Sequence, residues 1–166
     1  MTNSELPAGA PSPRFEYAFS IRLLLDHRLT SPVMLSGRSH GSITVVGGEI
    51  FGPRLKGIVV PFSGGDASQV RPDGVLTLDA RYLLETDDGV RLFLNNVGIR
   101  DGSAQVAQGV DAGVVVDTEA WDLRMSPVFD APPGKYDWLT RSTFAGIGRK
   151  LPDGQGNTIH YFLIDV

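Results

Sequence analysis

The 166-residue chain contains no cysteine, which excludes disulfides, thiol nucleophiles and zinc–thiolate centres together. Histidine is scarce: His27, His40 and His160 are the full complement, and no two stand at metal-ligand spacing, so no metal site is expected. There is no block of charge of one sign. Lys and Arg number 15 against 19 Asp and Glu, a net charge of −4 spread along the chain. That argues against nucleic acid, whose phosphates demand a basic patch. No apolar run approaches the roughly 20 residues of a membrane-spanning helix, and no basic amphipathic helix is present for a membrane surface. The opening MTNSELPAGAPSP lacks the basic and apolar regions of a secretory signal, so the expected compartment is the cytoplasm. The glycine-rich stretches GRSHGS (37–42) and GGEIFG (47–52) lack the strand–glycine–helix context and the GK[ST] ending of a phosphate loop. No serine marks a nucleophile elbow. No cofactor is therefore expected.

What is present is two-residue alternation. Residues 1–13 are small, polar and proline-rich and read as a disordered tail; a single domain is expected over 14–166. In RFEYAFSIRLLLD (14–26), Phe15, Tyr17, Phe19, Ile21, Leu23 and Leu25 share one parity, the signature of a long half-buried strand. The stretch 27–37 reads as a loop. Further strands are expected at SHGSITVVGGEIF (39–51), RLKGIVVPF (54–62), VLTLDARYLLET (75–86), VRLFLNNVGIR (90–100), AWDLRMSPVFD (120–130), STFAGIGRK (142–150) and NTIHYFLIDV (157–166). Gly47-Gly48 suggests a bulge or close packing. Residues 62–74 read as a polar loop, 101–120 as irregular with room for a helical turn, and 131–141 as a loop or short helix. About eight strands joined mostly by short turns favour antiparallel neighbours. The expected fold is all-β, a closed antiparallel up-and-down barrel, which leaves no exposed edge; a β-sandwich is the alternative.

The hairpin around Asp87-Asp88-Gly89 sets which side chains share a face. A two-residue loop would mix charged and apolar groups on both faces. A three-residue loop with Gly89 left-handed sorts them: Glu85 pairs Arg91, Leu84 pairs Leu92, Tyr82 pairs Leu94 and Arg81 pairs Asn95. Register is strongly specified by burial, so the three-residue loop is expected. One face then carries Ala80, Tyr82, Leu84, Val90, Leu92 and Leu94, and the other Asp79, Arg81, Glu85, Arg91 and Asn95. The charged face either meets solvent or lines the mouth of a ligand-holding barrel.

Chemistry has few candidates. Asp79 and Arg81 could act as an orienting carboxylate and an anion clamp; the alternative is a structural ion pair. Glu49 shares parity with Ile43, Val45 and Phe51, and a carboxylate on an apolar face is a candidate general base unless the strand bends at the glycines and turns it outward. His160 shares parity with Phe162 and Ile164 and could shuttle a proton. Tyr17, Tyr82, Asn95 and Trp138 could line a pocket, and aromatics of this kind also build cores. Arg141 lies three residues after Trp138 and would point the same way on a helix.

Four stretches in order carry a family resemblance: GGEIFGPRLKG (47–57), FSGGDASQVRPDG (62–74), LDARYLLETDDG (78–89) and PVFDAPPGKYDWLTRSTFAGIG (127–148). Together they resemble the bacterial and fungal domain-of-unknown-function 3237 family from about Phe15 to Val166. The pattern falls on Gly47, Gly48, Gly52, Pro53 and Leu55, on Gly65 and Asp66, on Leu78 to Tyr82, on Thr86 and Gly89, and on Tyr136, Trp138, Leu139 and Phe144. Two positions depart from it: Ala67-Ser68, where the family often has an aromatic, and Thr140, where it often has Asn. The resemblance implies a compact, allene-oxide-cyclase-like barrel and assigns no activity.

The leading expectation is a barrel that binds a small organic ligand and performs acid–base chemistry such as isomerisation, cyclisation or lyase chemistry. Asp79 or Glu49 would move the proton, Arg81 would hold an oxyanion, and Tyr82 and Trp138 would wall the pocket. The alternatives are a non-catalytic ligand carrier and an oligomeric structural barrel; a homodimer is the commonest assembly.

Overall fold

A computed structural model describes residues 7–102 and 123–165. Its described elements are β1 (Arg14–Thr30), β2 (Ser39–Phe51), β3 (Gly57–Val59), β4 (Gly65–Val70), β5 (Leu76–Thr86), β6 (Arg91–Arg100), β7 (Leu123–Asp130), a 3-10 helix (Asp137–Arg141), β8 (Phe144–Lys150) and β9 (Gly156–Asp165). Every pairing is antiparallel, in the order β1, β9, β8, β7, β6, β5, then β3 and β4, then β2, which pairs back onto β1. Both β3 and β4 lie between β2 and β5. They occupy one position around the barrel, so nine strands make the closed eight-position, up-and-down barrel that the alternation predicts. Among the described residues no helix is long and apolar enough to cross a membrane.

Several boundaries differ from the sequence expectation. The strand expected over 54–62 is only three residues long, and the middle six residues of the expected loop are strand β4. GDASQV has little intrinsic strand preference, but it is paired on both sides, and tertiary pairing overrides propensity. β1 continues through 27–30 across a bulge between Asp26 and Leu29, with His27 at φ 54°. The first six residues of the expected tail, all but the first two residues of the irregular stretch 101–120 in which a helical turn had room, and Trp121 and Asp122 lie outside the described residues; residues 7–13 contain no strand.

The β5–β6 hairpin has the three-residue loop. Glu85, Leu84, Tyr82 and Arg81 pair with Arg91, Leu92, Leu94 and Asn95, and Gly89 has φ 80°. The apolar parity is inside: Tyr82, Leu84, Leu92 and Leu94 are fully buried. Asp79, Arg81, Glu85 and Arg91 stand outside, as two ion pairs. The interior is therefore filled by burial of one parity from each strand, the dominant stabilising term for such a fold.

The Gly47-Gly48 bulge is present. Leu24 pairs Gly47 while Leu25 pairs Val45, leaving Val46 extra. At Gly48 φ is 151°, and an added Cβ would lie 2.2 Å from the Arg22 carbonyl oxygen, so only glycine fits. The bend exchanges the faces of the strand: Val45 points inward before it and Ile50 after it, which sends Glu49 out.

The barrel's two ends differ. One receives the β2–β3, β5–β6 and β7–β8 connections. There Phe19, Phe129, Phe144 and Tyr161 pack with centroids 5.1–6.3 Å apart. The 3-10 helix caps them with buried Leu139 and half-buried Trp138. Asp88 of the hairpin ties this cap down by accepting hydrogen bonds from Thr86 Oγ1 (2.6 Å), Tyr136 Oη (2.6 Å) and Lys135 Nζ (2.8 Å). Those donors, Lys135 foremost, hold the Asp88 carboxyl well below the usual carboxylate range. This end is filled. At the other end, where β1 meets β2, β4 meets β5 and β8 meets β9, the described residues leave a cavity.

Candidate functional site

A cavity of about 740 Å³ occupies the unfilled end, within the range of small-molecule sites. It exists because the inward rows there carry small residues: Gly41 and Ser68 stand side by side where large side chains would close the interior. Leu25, Ile43, Val70, Leu76, Leu78 and Leu123 supply an apolar wall. Asp26, Asp66, Arg28, Arg100 and Lys150 supply the charge.

Asp66 is placed by β4. It pairs Ile43 of β2 and Ala80 of β5, both of which point inward and are buried. Its Oδ1 is buried with no hydrogen-bond partner. Burial pushes its carboxyl up to about 6, the Arg28 guanidinium pulling the other way and Asp79 adding a little to the rise. Arg100 ends β6 on the same inward parity as Leu92, Leu94 and Asn96. It is 7% exposed, its Nε has no partner, and burial followed by the Arg28 charge lowers its pKa. Arg28, on the β1 extension, therefore acts on both groups.

Beneath this layer lies a neutral polar group. Asn96 pairs Ala80 across the sheet and its Nδ2 donates to Tyr161 Oη at 2.8 Å, fully buried. Tyr82 is two residues along β5 from Ala80. Burial raises both phenols, and the Asp66 charge reaches that of Tyr82. The arrangement couples a carboxyl of raised pKa to a buried tyrosine and two guanidinium groups, a set able to move a proton and hold a negative oxygen.

The structure brings none of the sequence-derived site residues to this cavity. Asp79 and Arg81 form a bidentate pair at 3.0 and 2.8 Å on the outer wall, in a shallow depression shared with Ser42, Gly65, Asp66 and Ala67. Glu49 is exposed and bonded to Arg22 at 3.3 Å, because the glycine bend turned it outward. Tyr17 is outside too: a bulge between Tyr17 and Phe19 in the pairing with β9 breaks the parity it shared with the core. There its hydroxyl bonds Ser20 Oγ (2.8 Å), which bonds His160 Nδ1 (2.7 Å). Burial, then Arg149, lowers the His160 pKa. Asn95 faces outward across from Arg81. Trp138 sits at the filled end under Arg54, 4.4 Å from its ring centre. Arg141 is exposed and paired to Asp137 at 2.6 Å. Tyr82 alone is interior, below the cavity layer.

Asp66 and Arg100 were legible only in part. Arg100 is a charged residue on the parity of Val90, Leu92 and Leu94, a signal like the one that singled out Glu49. Asp66 stood in the resemblance pattern but in a stretch that read as loop, where parity has no meaning. Among the described residues no three His, Asp or Glu side chains cluster as a metal set.

The model of the family described as "Protein of unknown function (DUF3237)" matches residues 13–166; the chain belongs to this family. A UPF0311 protein of Clostridium acetobutylicum is 32% identical over 144 residues, 84% of this chain and 87% of the relative. The crystal structure of a protein of unknown function from that organism superposes with a TM-score of 0.83 at 28% identity, covering 95% of this chain and all of the other. A protein of Acinetobacter baumannii described as β-barrel-like superposes with a TM-score of 0.79 at 26% identity, over 96% of this chain and all of the other. The hydroalkoxylation enzyme phnH of Penicillium herquei is 28% identical over 158 residues, 92% of this chain and 85% of the relative.

Proposed function

We propose that this member of the family is an acid–base enzyme that binds a small organic molecule in the open-end cavity and moves a proton with Asp66. The observation that supports this most directly is a carboxyl group inside the cavity, with one oxygen buried and unpartnered and a pKa pushed up to about 6. Keeping such a group costs stability, and a group held at such cost belongs more often to a site than to a scaffold. At pH 7 it is mostly ionised and close to the operating pH, which suits a general base that must also return its proton.

A hydroalkoxylation, the activity in the name of the Penicillium relative, adds an O–H across a carbon–carbon double bond. The cavity suits that reaction class. In a substrate whose alkene is conjugated to a carbonyl, Asp66 takes the hydroxyl proton as the C–O bond forms. The electron pair moves to the carbonyl oxygen, and the enolate is held by the Arg28 guanidinium. Protonated Asp66 then returns the proton to carbon, so product and substrate are isomers. The apolar wall of Leu25, Ile43, Leu78 and Leu123 excludes water around the reacting atoms.

The test is turnover of a panel of hydroxyl-bearing conjugated enones, 2′-hydroxychalcone among them, by wild type and Asp66→Asn. Cyclisation is followed by loss of enone absorbance at constant mass. The substitution is expected to lower kcat by at least a hundredfold with the fold retained. Equal rates in the two proteins would remove Asp66 from the chemistry. Binding of the panel without turnover by wild type would leave a ligand carrier instead.

A further inference from the structure

We infer that the open-end cavity is built for an organic anion, a molecule with an apolar body and a permanent carboxylate that docks on Arg100. This rests on the cavity being the binding site, and names the class of molecule it takes. Four observations carry it.

The first is the state of Arg100. A guanidinium is an always-charged fork of five N–H donors, and a buried one is ordinarily satisfied by a carboxylate or by backbone carbonyls. Arg100 is 7% exposed, its Nε is unpartnered, and no described carboxylate pairs with it. The second is the charge around it. Arg28 and Lys150 line the same cavity, as do Asp26 and Asp66; Arg28 is exposed and acts on both Asp66 and Arg100. The nearest positive group works against Arg100 rather than for it, since Arg28 repels its charge. Arg28 shares the field of Asp66, so Arg100 is the guanidinium with no described counter-ion, and a ligand carboxylate suits its fork.

The third observation is that the internal acid does not fill this role. Asp66 lies four residues along β4 from Val70, which pairs Leu76 and so stands level with Arg100. The Asp66 charge is not among the influences on Arg100. The fourth is the outer wall, where Arg81 is fully matched by Asp79 at 2.8 Å. Among the described residues a carboxylate stands where a structural pair is needed, and none stands against Arg100. The apolar wall beyond Arg100 then sets the rest of the ligand, a body of one to three rings or an equivalent chain.

The probes are naphthalene-2-carboxylate and its uncharged isostere naphthalene-2-carboxamide, titrated into the full chain by calorimetry and by thermal shift. The carboxylate is expected to bind roughly thirty- to hundredfold more tightly. At a hundredfold excess over Kd it should raise Tm by roughly 5–10 °C. Arg100→Met should erase the preference, and Arg81→Met, on the outer wall, should keep it. Asp66→Asn should bind the carboxylate at least as well as wild type, because it removes a like charge. Equal affinity for acid and amide in wild type would overturn the inference whatever the variants do, so a poorly folding Arg100→Met does not shield it. Preference for the acid that survives in a folded Arg100→Met would overturn the assignment to Arg100. The catalytic reading fails separately: anion preference with Asp66-independent turnover sinks only that reading. Asp66-dependent turnover of neutral enones without anion preference sinks only this one.

Discussion

Asp66→Asn should stabilise the protein, and by an amount that depends on pH. In the unfolded chain the carboxyl titrates near its ordinary value of 3.8, and in the barrel near 6. The folded state therefore holds a proton that the unfolded state releases between these values. Below about pH 4 both states are protonated and the site costs nothing. As pH rises to about 6 the folded protein must ionise a buried group and stability is lost; above 6 the loss is complete. A gap of about two pH units corresponds to about 3 kcal/mol. Asparagine is neutral at every pH, so the variant should match wild type at pH 4 and exceed it by about 3 kcal/mol at pH 7.5. For a domain of this size that is roughly 6–12 °C in Tm. Urea unfolding of both proteins from pH 4 to pH 8 reads it directly. The opposite slope contributed by Asp88, whose carboxyl is depressed by Lys135, Thr86 and Tyr136, is common to both proteins and cancels in the difference. A difference that is flat with pH, or a variant less stable than wild type at pH 7.5, would show that Asp66 is satisfied in the fold and that the argument from its burial is wrong.

Tyr161→Phe removes the acceptor of the buried Asn96 amide and should cost about 1–3 kcal/mol by leaving that donor unpaired, with no pH dependence between 5 and 8, as read by denaturant midpoints. Gly48→Ala forces a Cβ against the Arg22 carbonyl at a positive φ and should cost about 2–4 kcal/mol; a change below 1 kcal/mol would mean that the bulge relaxes freely.

The fold was legible because burial in a barrel repeats every two residues. Where a strand kept one parity inside throughout, as β5 and β6 do, the faces, the pairing and even the loop length of the hairpin followed from the sequence. The same rule misled wherever a bulge reset the parity. Tyr17 sits just beyond such a reset and stands outside despite its parity, and at Glu49 the strand takes the outward turn at the glycines that the sequence left open. Alternation is a local signal, and a bulge is a local insertion that a single sequence marks only through glycine, as at Gly47-Gly48.

The site was less legible because function here depends on what is missing from a position. A barrel interior takes a large apolar side chain at every inward position unless a cavity is kept, and the cavity is kept by Gly41, Ser68 and a small-residue strand that looks like a loop. GDASQV has the composition of a turn because its inward residues are Asp66 and Ser68 rather than valine or leucine. The features that hide β4 from a pattern search are those that make room for a ligand and place a carboxyl against it. The outer charged face of β5 and β6, by contrast, alternates cleanly because nothing binds inside its register: its charges are matched to each other, and matched charges at a surface contribute little beyond solubility. In this fold the polar residue that breaks a strand pattern says more about chemistry than the polar residues that complete one.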